Sequence, residues 1–163
     1  RGAREALGPL SKIARMGAGE WGVRTVIIPF QIPDDREVSH ELAALTPSAA
    51  LIDQELHPRA LLSLIGRLDL LVAMRLHALI FAAASSVPAI GLSYDPKVEA
   101  LCEAAGQCWS PITEPQKVPE LAAEAWNQRE ETRPHRETRA AEMRARAARA
   151  FDVIEATCDE LGG

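Results

Sequence analysis

Aromatic side chains are scarce in this chain: Phe, Trp and Tyr make up 4% of it, with a single tyrosine. So few rings leave little surface on which to stack bases, which argues against a single-strand nucleic-acid binder. A basic surplus is also lacking. The 18 Lys and Arg face 23 Asp and Glu, for a net charge of −5, whereas duplex binding leans on positive charge. Nucleic acid is therefore not an expected partner. Cysteines are few. Cys102, Cys108 and Cys158 are odd in number and form no C-x-x-C pair. That disfavours a disulfide scaffold and fits a reducing cytoplasm. Cys102 and Cys108 are expected to be small buried hydrophobes. The longest apolar stretch, residues 68–92, is interrupted by Asp69, Arg75, His77 and Pro88. It cannot supply the roughly 20 uninterrupted apolar residues of a membrane span, and no signal peptide is recognised. There is no G-x-G-x-x-G, no P-loop and no G-x-S-x-G elbow. His40, His57 and His135 are scattered without metal-ligand spacing, so no metal site is expected.

What is present suits one globular domain. The 163 residues are 47% hydrophobic and 25% charged, enough for a real core. A chain that opens at Arg1 within a helical segment is expected to be a fragment with an N-terminal partner domain elsewhere. Residues 4–16 read as a helix ended by Gly17, Gly19 and Gly22. Residues 23–30 read as a strand, with Val26-Ile27-Ile28 as its apolar centre and Pro29 and Pro33 closing it. Asp34 and Asp35 suit the N-terminus of a helix running to about Leu45. A short strand at 50–53 and a helix at 58–66, opened by His57-Pro58, follow. A strand at 70–73, a buried helix at 76–84 and a strand at 89–93 come next. Asp95-Pro96 opens a helix to Ala105 that Gly106 stops. A weak strand near 108–109 precedes helices from 118 to 161, broken around Pro134.

Strands alternating with helices, with continuous apolar strands among them, predict an α/β fold. Its expected form is an open parallel sheet flanked by helices, one Rossmann-like domain over residues 1–163 with C-terminal helices from 118. Residues 129–149 are rich in Arg with Glu between. They read as a solvated amphipathic helix, or alternatively as a basic face toward an anionic membrane or lipid diphosphate.

In an open parallel sheet, ligands bind beyond the carboxyl ends of the strands. Two loops there lead straight into helices: residues 73–77 and residues 93–97. A helix N-terminus offers free N–H groups and the positive end of a dipole. Arg75 and Lys97 sit at such starts, where a cation alone is disfavoured. A bound phosphate or carboxylate would offset the repulsion, Arg by a bidentate fork and Lys as a point charge. The alternative is that they pair with Asp95, Glu99 or Asp69. His77, two residues beyond Arg75, can donate to a phosphate or transfer a proton near neutral pH, or it is a satisfied core residue. Asp95 before Pro96 reads as a helix start. Ser93 is left open between capping and ligand contact, Tyr94 between stacking on a sugar and packing. Gln31 ends the first strand on the same edge.

The run Leu70-Leu71-Val72-Ala73-Met74-Arg75-Leu76-His77-Ala78-Leu79-Ile80-Phe81-Ala82 is followed by Val87-Pro88-Ala89-Ile90-Gly91-Leu92-Ser93-Tyr94-Asp95-Pro96-Lys97-Val98. Together they resemble the polysaccharide pyruvyltransferase family, in particular the bacterial cell-wall branch that prepares anchors for S-layer proteins. Pro29-Phe30-Gln31 with Asp34-Asp35 is similar to the first strand of that family's C-terminal half. The resemblance implies the Rossmann-like C-terminal half of a two-domain, GT-B-like enzyme whose active site lies between the halves. It implies transfer of a pyruvyl group from phosphoenolpyruvate to two hydroxyls of a sugar, as a cyclic ketal, without a cofactor. The implied acceptor is a lipid-linked cell-wall sugar. The implied location is cytoplasmic, with peripheral contact at the cytoplasmic membrane face. Arg75, Leu76 and His77 would contact phosphoenolpyruvate, and Lys97 would be an active-site residue. By this resemblance, the family's N-terminal half, which would complete the cleft, and the first part of its C-terminal half are expected to lie outside this sequence. Two rival expectations are a GT-B glycosyltransferase using a nucleotide sugar on the same edge, and a non-catalytic binding or dimerisation module built on the C-terminal helices.

Overall fold

The computed structural model describes the backbone over residues 2–161 and side chains over 3–149. Cys158 lies outside the residues whose side chains are described. In chain order the elements are α1 (Gly2–Glu5), α2 (Leu7–Met16), β1 (Val26–Ile27), α3 (Arg36–Leu45), β2 (Ala50–Leu51), α4 (Pro58–Ile65) and β3 (Leu71–Ala73). There follow α5 (Leu76–Ala84), β4 (Ala89–Ser93), α6 (Pro96–Ala105), β5 (Cys108–Pro111), α7 (Val118–Asn127) and α8 (Arg133–Leu161). Among the described residues no helix is long and apolar enough to cross a membrane.

All strand pairs are parallel, as the alternation of elements predicts, but they form two sheets rather than one. β1 pairs with β2, and β3, β4 and β5 lie side by side in that order. The first two strands are also much shorter than the apolar runs suggest. Residues 23–30 contribute only Val26–Ile27 to a ladder, because among the described residues β1 has a partner on one side alone and Pro29 lacks an N–H to extend it.

β4 is the axis of the fold and is buried along its whole length. Its side chains alternate between two cores, as strand geometry requires. Ala89 packs with Leu79, Ala82, Val98 and Cys102, beneath α5 and α6. Ile90 and Leu92 pack on the other face with Ala6, Val118 and Ala122, beneath α2 and α7. Gly91 permits the close approach: a Cβ there would lie 2.8 Å from Cys102 Sγ and 3.1 Å from Val98. Burial pushes the Cys102 thiol up to about 11, which keeps it protonated and inert. Cys108, expected to be buried as well, is exposed at the start of β5, the last strand of its sheet.

Helix ends follow local chemistry in several places. His57 Nδ1 accepts from Arg59 N–H (3.2 Å) and Pro58 opens α4. Gly106 ends α6 in the left-handed conformation at φ 65°. α2 does not stop at Gly17. It runs on as a π-turn, Gly17–Trp21, and ends at left-handed Gly22. That extra turn stacks Trp21 on Trp126 of α7, with ring centroids 4.8 Å apart, while Arg129 covers the other ring at 3.9 Å.

The arginine-rich segment is partly a structural bracket. Arg136 is buried and donates to Ser86 O (2.9 Å), Arg129 O (2.7 Å) and Thr132 Oγ1. It thereby holds the left-handed turn at Ser86, φ 59°. Arg144 donates to Ala84 O (2.8 Å), at the C-terminal end of α5. Such contacts suit a helix C-terminus, where carbonyls lack partners and the dipole is negative.

Candidate functional site

Three loops meet at the C-terminal edge of the strands. They lead from β1 to α3, from β3 to α5 and from β4 to α6. The first is brought toward α5 by Phe30, whose ring lies 6.3 Å from that of Phe81. Asp34, Asp35, Arg75 and Tyr94, one or more from each loop, line the polar end of a cleft of about 740 Å³.

Arg75 precedes α5 in an extended conformation, φ −83°, ψ 126°. Its fork engages Asp35: Nη2 to Oδ1 at 2.5 Å, and Nε to both carboxylate oxygens at 3.2 Å. Asp35 Oδ2 also accepts from the backbone N–H of Phe30 (3.1 Å) and Gln31 (2.9 Å). Burial alone would raise the Asp35 carboxyl. The Arg75 hydrogen bond and charge and the two backbone donors outweigh it and hold the group below the usual carboxylate range. The hydrogen bond that Arg75 donates to Asp35 is the main influence raising Arg75, against partial burial. Tyr94 adds a smaller push in the same direction without meeting hydrogen-bond geometry. Nη1 of Arg75 makes no hydrogen bond among the described residues, so one edge of the guanidinium stays available.

Asp35 was the signal most easily misread in the sequence. As an acid at a helix start it looks like a cap, yet its side chain makes no capping bond to α3. Its work is across the sheet edge. None of the carboxylates weighed from sequence as partners of Arg75, namely Asp95, Glu99 and Asp69, is its partner. A cation and an acid predicted on one sheet edge, in loops two strands apart, are the cue that would have paired them.

The start of α5 has no side-chain cap. Arg75 O accepts from the N–H of Ala78 and Leu79, whereas the N–H groups of Leu76 and His77 have no partner among the described residues. Leu76 packs its side chain against the α5–α6 core. His77 is exposed and makes no hydrogen bond in the described fold; it is not a core histidine. At the next loop the start of α6 is closed, because Asp95 Oδ1 accepts from Lys97 N–H at 2.9 Å. The Lys97 ammonium is exposed and has no ion-pair partner among the described residues. Ser93 is buried, and its hydroxyl donates to Glu99 Oε1 (2.8 Å), so Glu99 is engaged there. Gln31 is exposed and donates to Asp34 (2.9 Å), four residues beyond the end of β1. The cleft lining contains Arg75 and Tyr94 but neither His77, Ser93 nor Lys97.

An uncapped helix N-terminus beside a half-occupied guanidinium is suited to an oxyanion. Residues 21–96 match the family model described as polysaccharide pyruvyl transferase. The match spans 76 of the 163 residues, so just under half of the chain is similar to this family of transferases. The match takes in Asp35, Arg75, His77, Ser93 and Tyr94 and stops one residue short of Lys97. No curated protein matches the chain.

Proposed function

We propose that this chain supplies the donor-binding wall of a pyruvyl transferase, with phosphoenolpyruvate seated at the start of α5. The observation that carries this reading is the pair of free donors, Leu76 and His77 N–H, beside the open Nη1 edge of Arg75. Asp35 keeps the guanidinium in place, so a bound anion meets a preorganised fork. Lys97, on the neighbouring loop, supplies a second positive charge for the other anionic group of the donor.

The reaction balances without redox chemistry. A proton is added to C3 of phosphoenolpyruvate, and a sugar hydroxyl adds to C2 and gives up its proton. The second hydroxyl then displaces phosphate from C2, its proton leaving with the phosphate, and the ketal closes. Arg75 stabilises the departing charge, and exposed His77 moves a proton or contacts the phosphate. The acceptor is a sugar of a cell-wall polysaccharide or its lipid-linked precursor, and the enzyme works in the cytoplasm. Contact with an anionic membrane face would rest on the exposed Arg146 and Arg149, because Arg129, Arg136 and Arg144 are engaged within the fold.

Calorimetric titration tests the donor. Phosphoenolpyruvate should give a saturable heat, with an affinity that falls about 10- to 100-fold in Arg75→Ala. Binding of a uridine diphosphate sugar in its place would overturn the reading in favour of a glycosyltransferase.

A further inference from the structure

The two sheets face each other across the cleft. Parallel ladders direct the N–H and C=O of alternate residues to opposite sides. In β1, Thr25 O and Ile27 O accept from Ala50 and Ile52 N–H, toward β2. Val26 and Ile28 therefore point their main-chain groups the other way. In β3, Leu71 N–H donates to Pro88 O, toward β4, so Leu70, Val72 and Met74 point away from β4. All five of these residues line the one cleft, so it is bounded by two strand edges without ladder partners among the described residues. Its remaining lining is mostly apolar. Leu10 and Ile13 come from α2, Val38 and Leu42 from α3, and Ala78 from α5.

An apolar slot with a row of main-chain donors and acceptors on each side fits an extended polypeptide, which can satisfy both rows at once. A compact small molecule would leave most of them unpaired. Topology identifies the occupant. α2 lies along the slot and its C-terminal turn feeds directly into β1. A helix that delivers the chain into a parallel strand is the crossover from a neighbouring parallel strand. One side of β1 is held by β2, which follows it in the chain, so the strand that feeds α2 takes the other side.

We infer that the cleft between β1 and β3 seats a further parallel strand, an apolar segment of about five residues joined to the N-terminus of α1, and that the two sheets are parts of one. This strand runs beneath α2, hydrogen-bonds to Val26 and Ile28 on one side and to Leu70, Val72 and Met74 on the other, and leaves the Arg75–Asp35 edge open above it. The inference is independent of the proposed reaction.

Amide hydrogen exchange on the 163-residue chain tests it first. The Ile52 and Leu71 amides should be protected, while those of Val26, Ile28, Val72 and Met74 exchange quickly, and an anilinonaphthalene dye should bind the cleft. The second arm adds a short linker and a five-residue segment of valine, isoleucine and threonine ahead of Arg1. The exposed-edge amides should then slow by at least about tenfold, the dye should be expelled and the thermal midpoint should rise. The same extension with proline at its centre should do none of this. Edge amides already slow in the unextended chain would overturn the inference. So would equal slowing with the proline version, or no slowing with the apolar one. Protection that grows with protein concentration would assign the cleft to a second copy and overturn it as well.

Discussion

Two helices begin one strand apart on the same sheet edge and are built in opposite ways. The start of α6 is complete within three residues: Asp95 accepts from Lys97 N–H, and Pro96 holds the first turn. The start of α5 has neither device. Its first residue is preceded by an arginine held by a carboxylate 40 positions away in sequence, and its first two N–H groups are left open. A closed start is a stable hinge between strand and helix. An open start with a pinned cation sacrifices local capping, worth about 1 kcal/mol, and keeps its donors available for a ligand. Two cationic helix starts that look alike in sequence are thus not equivalent sites.

The largest effect expected from this contrast concerns turnover. His77→Ala in the active enzyme should lower the rate about a hundredfold or more if His77 moves a proton, with an unchanged circular-dichroism spectrum because the side chain is exposed. Near-normal turnover would remove His77 from the chemistry. Next comes donor affinity, read by calorimetry. Arg75→Ala should weaken phosphoenolpyruvate binding about 10- to 100-fold, the range of a charge-assisted hydrogen bond. Lys97→Ala should cost only a few-fold, as an exposed charge does. Equal losses would erase the distinction between the two starts.

Stability effects follow. Asp35→Asn should destabilise the fold by about 1–2 kcal/mol, since it loosens a partly exposed charged pair. The pH dependence sharpens the test. The carboxyl is depressed in the folded protein, so its contribution is fully present above the unfolded pKa of about 3.9 and is lost as pH falls through the lower folded value. The gap in thermal midpoint between the parent and Asp35→Asn should be steady near neutrality and close below about pH 4. A gap that persists at lower pH would mean that the charge on Asp35 is not what holds Arg75. Asp95→Ala should show the smallest effect, about 1 kcal/mol of stability from a lost cap, with donor affinity nearly unchanged. A large fall in affinity in that variant would make the α6 start part of the binding surface.

The contrast also shows which parts of the fold could be read from sequence. β4, α5 and α6 appear where hydrophobic runs and capping residues place them. Their signals are local: five consecutive buried residues, Asp-Pro at one end and glycine at the other. β1 and β2 are shorter than their apolar runs, because ladder length depends on partners and not on the run itself. His77 was open between core and surface. In a helix this apolar only the packing of α5 against its neighbours decides which position faces out. Arg136 gives no sequence cue for burial, yet it is enclosed because three oxygen acceptors converge on it.

The alternation of elements and the placing of Arg75 and Lys97 at helix starts were determined by the sequence alone, since each depends on neighbours within a few residues. The pairing of Arg75 with Asp35, the open start of α5 and the cleft between β1 and β3 were decided only by the tertiary structure. Each is a relation between segments tens of residues apart. Its energy comes from charges and main-chain edges that meet only once the sheet has formed.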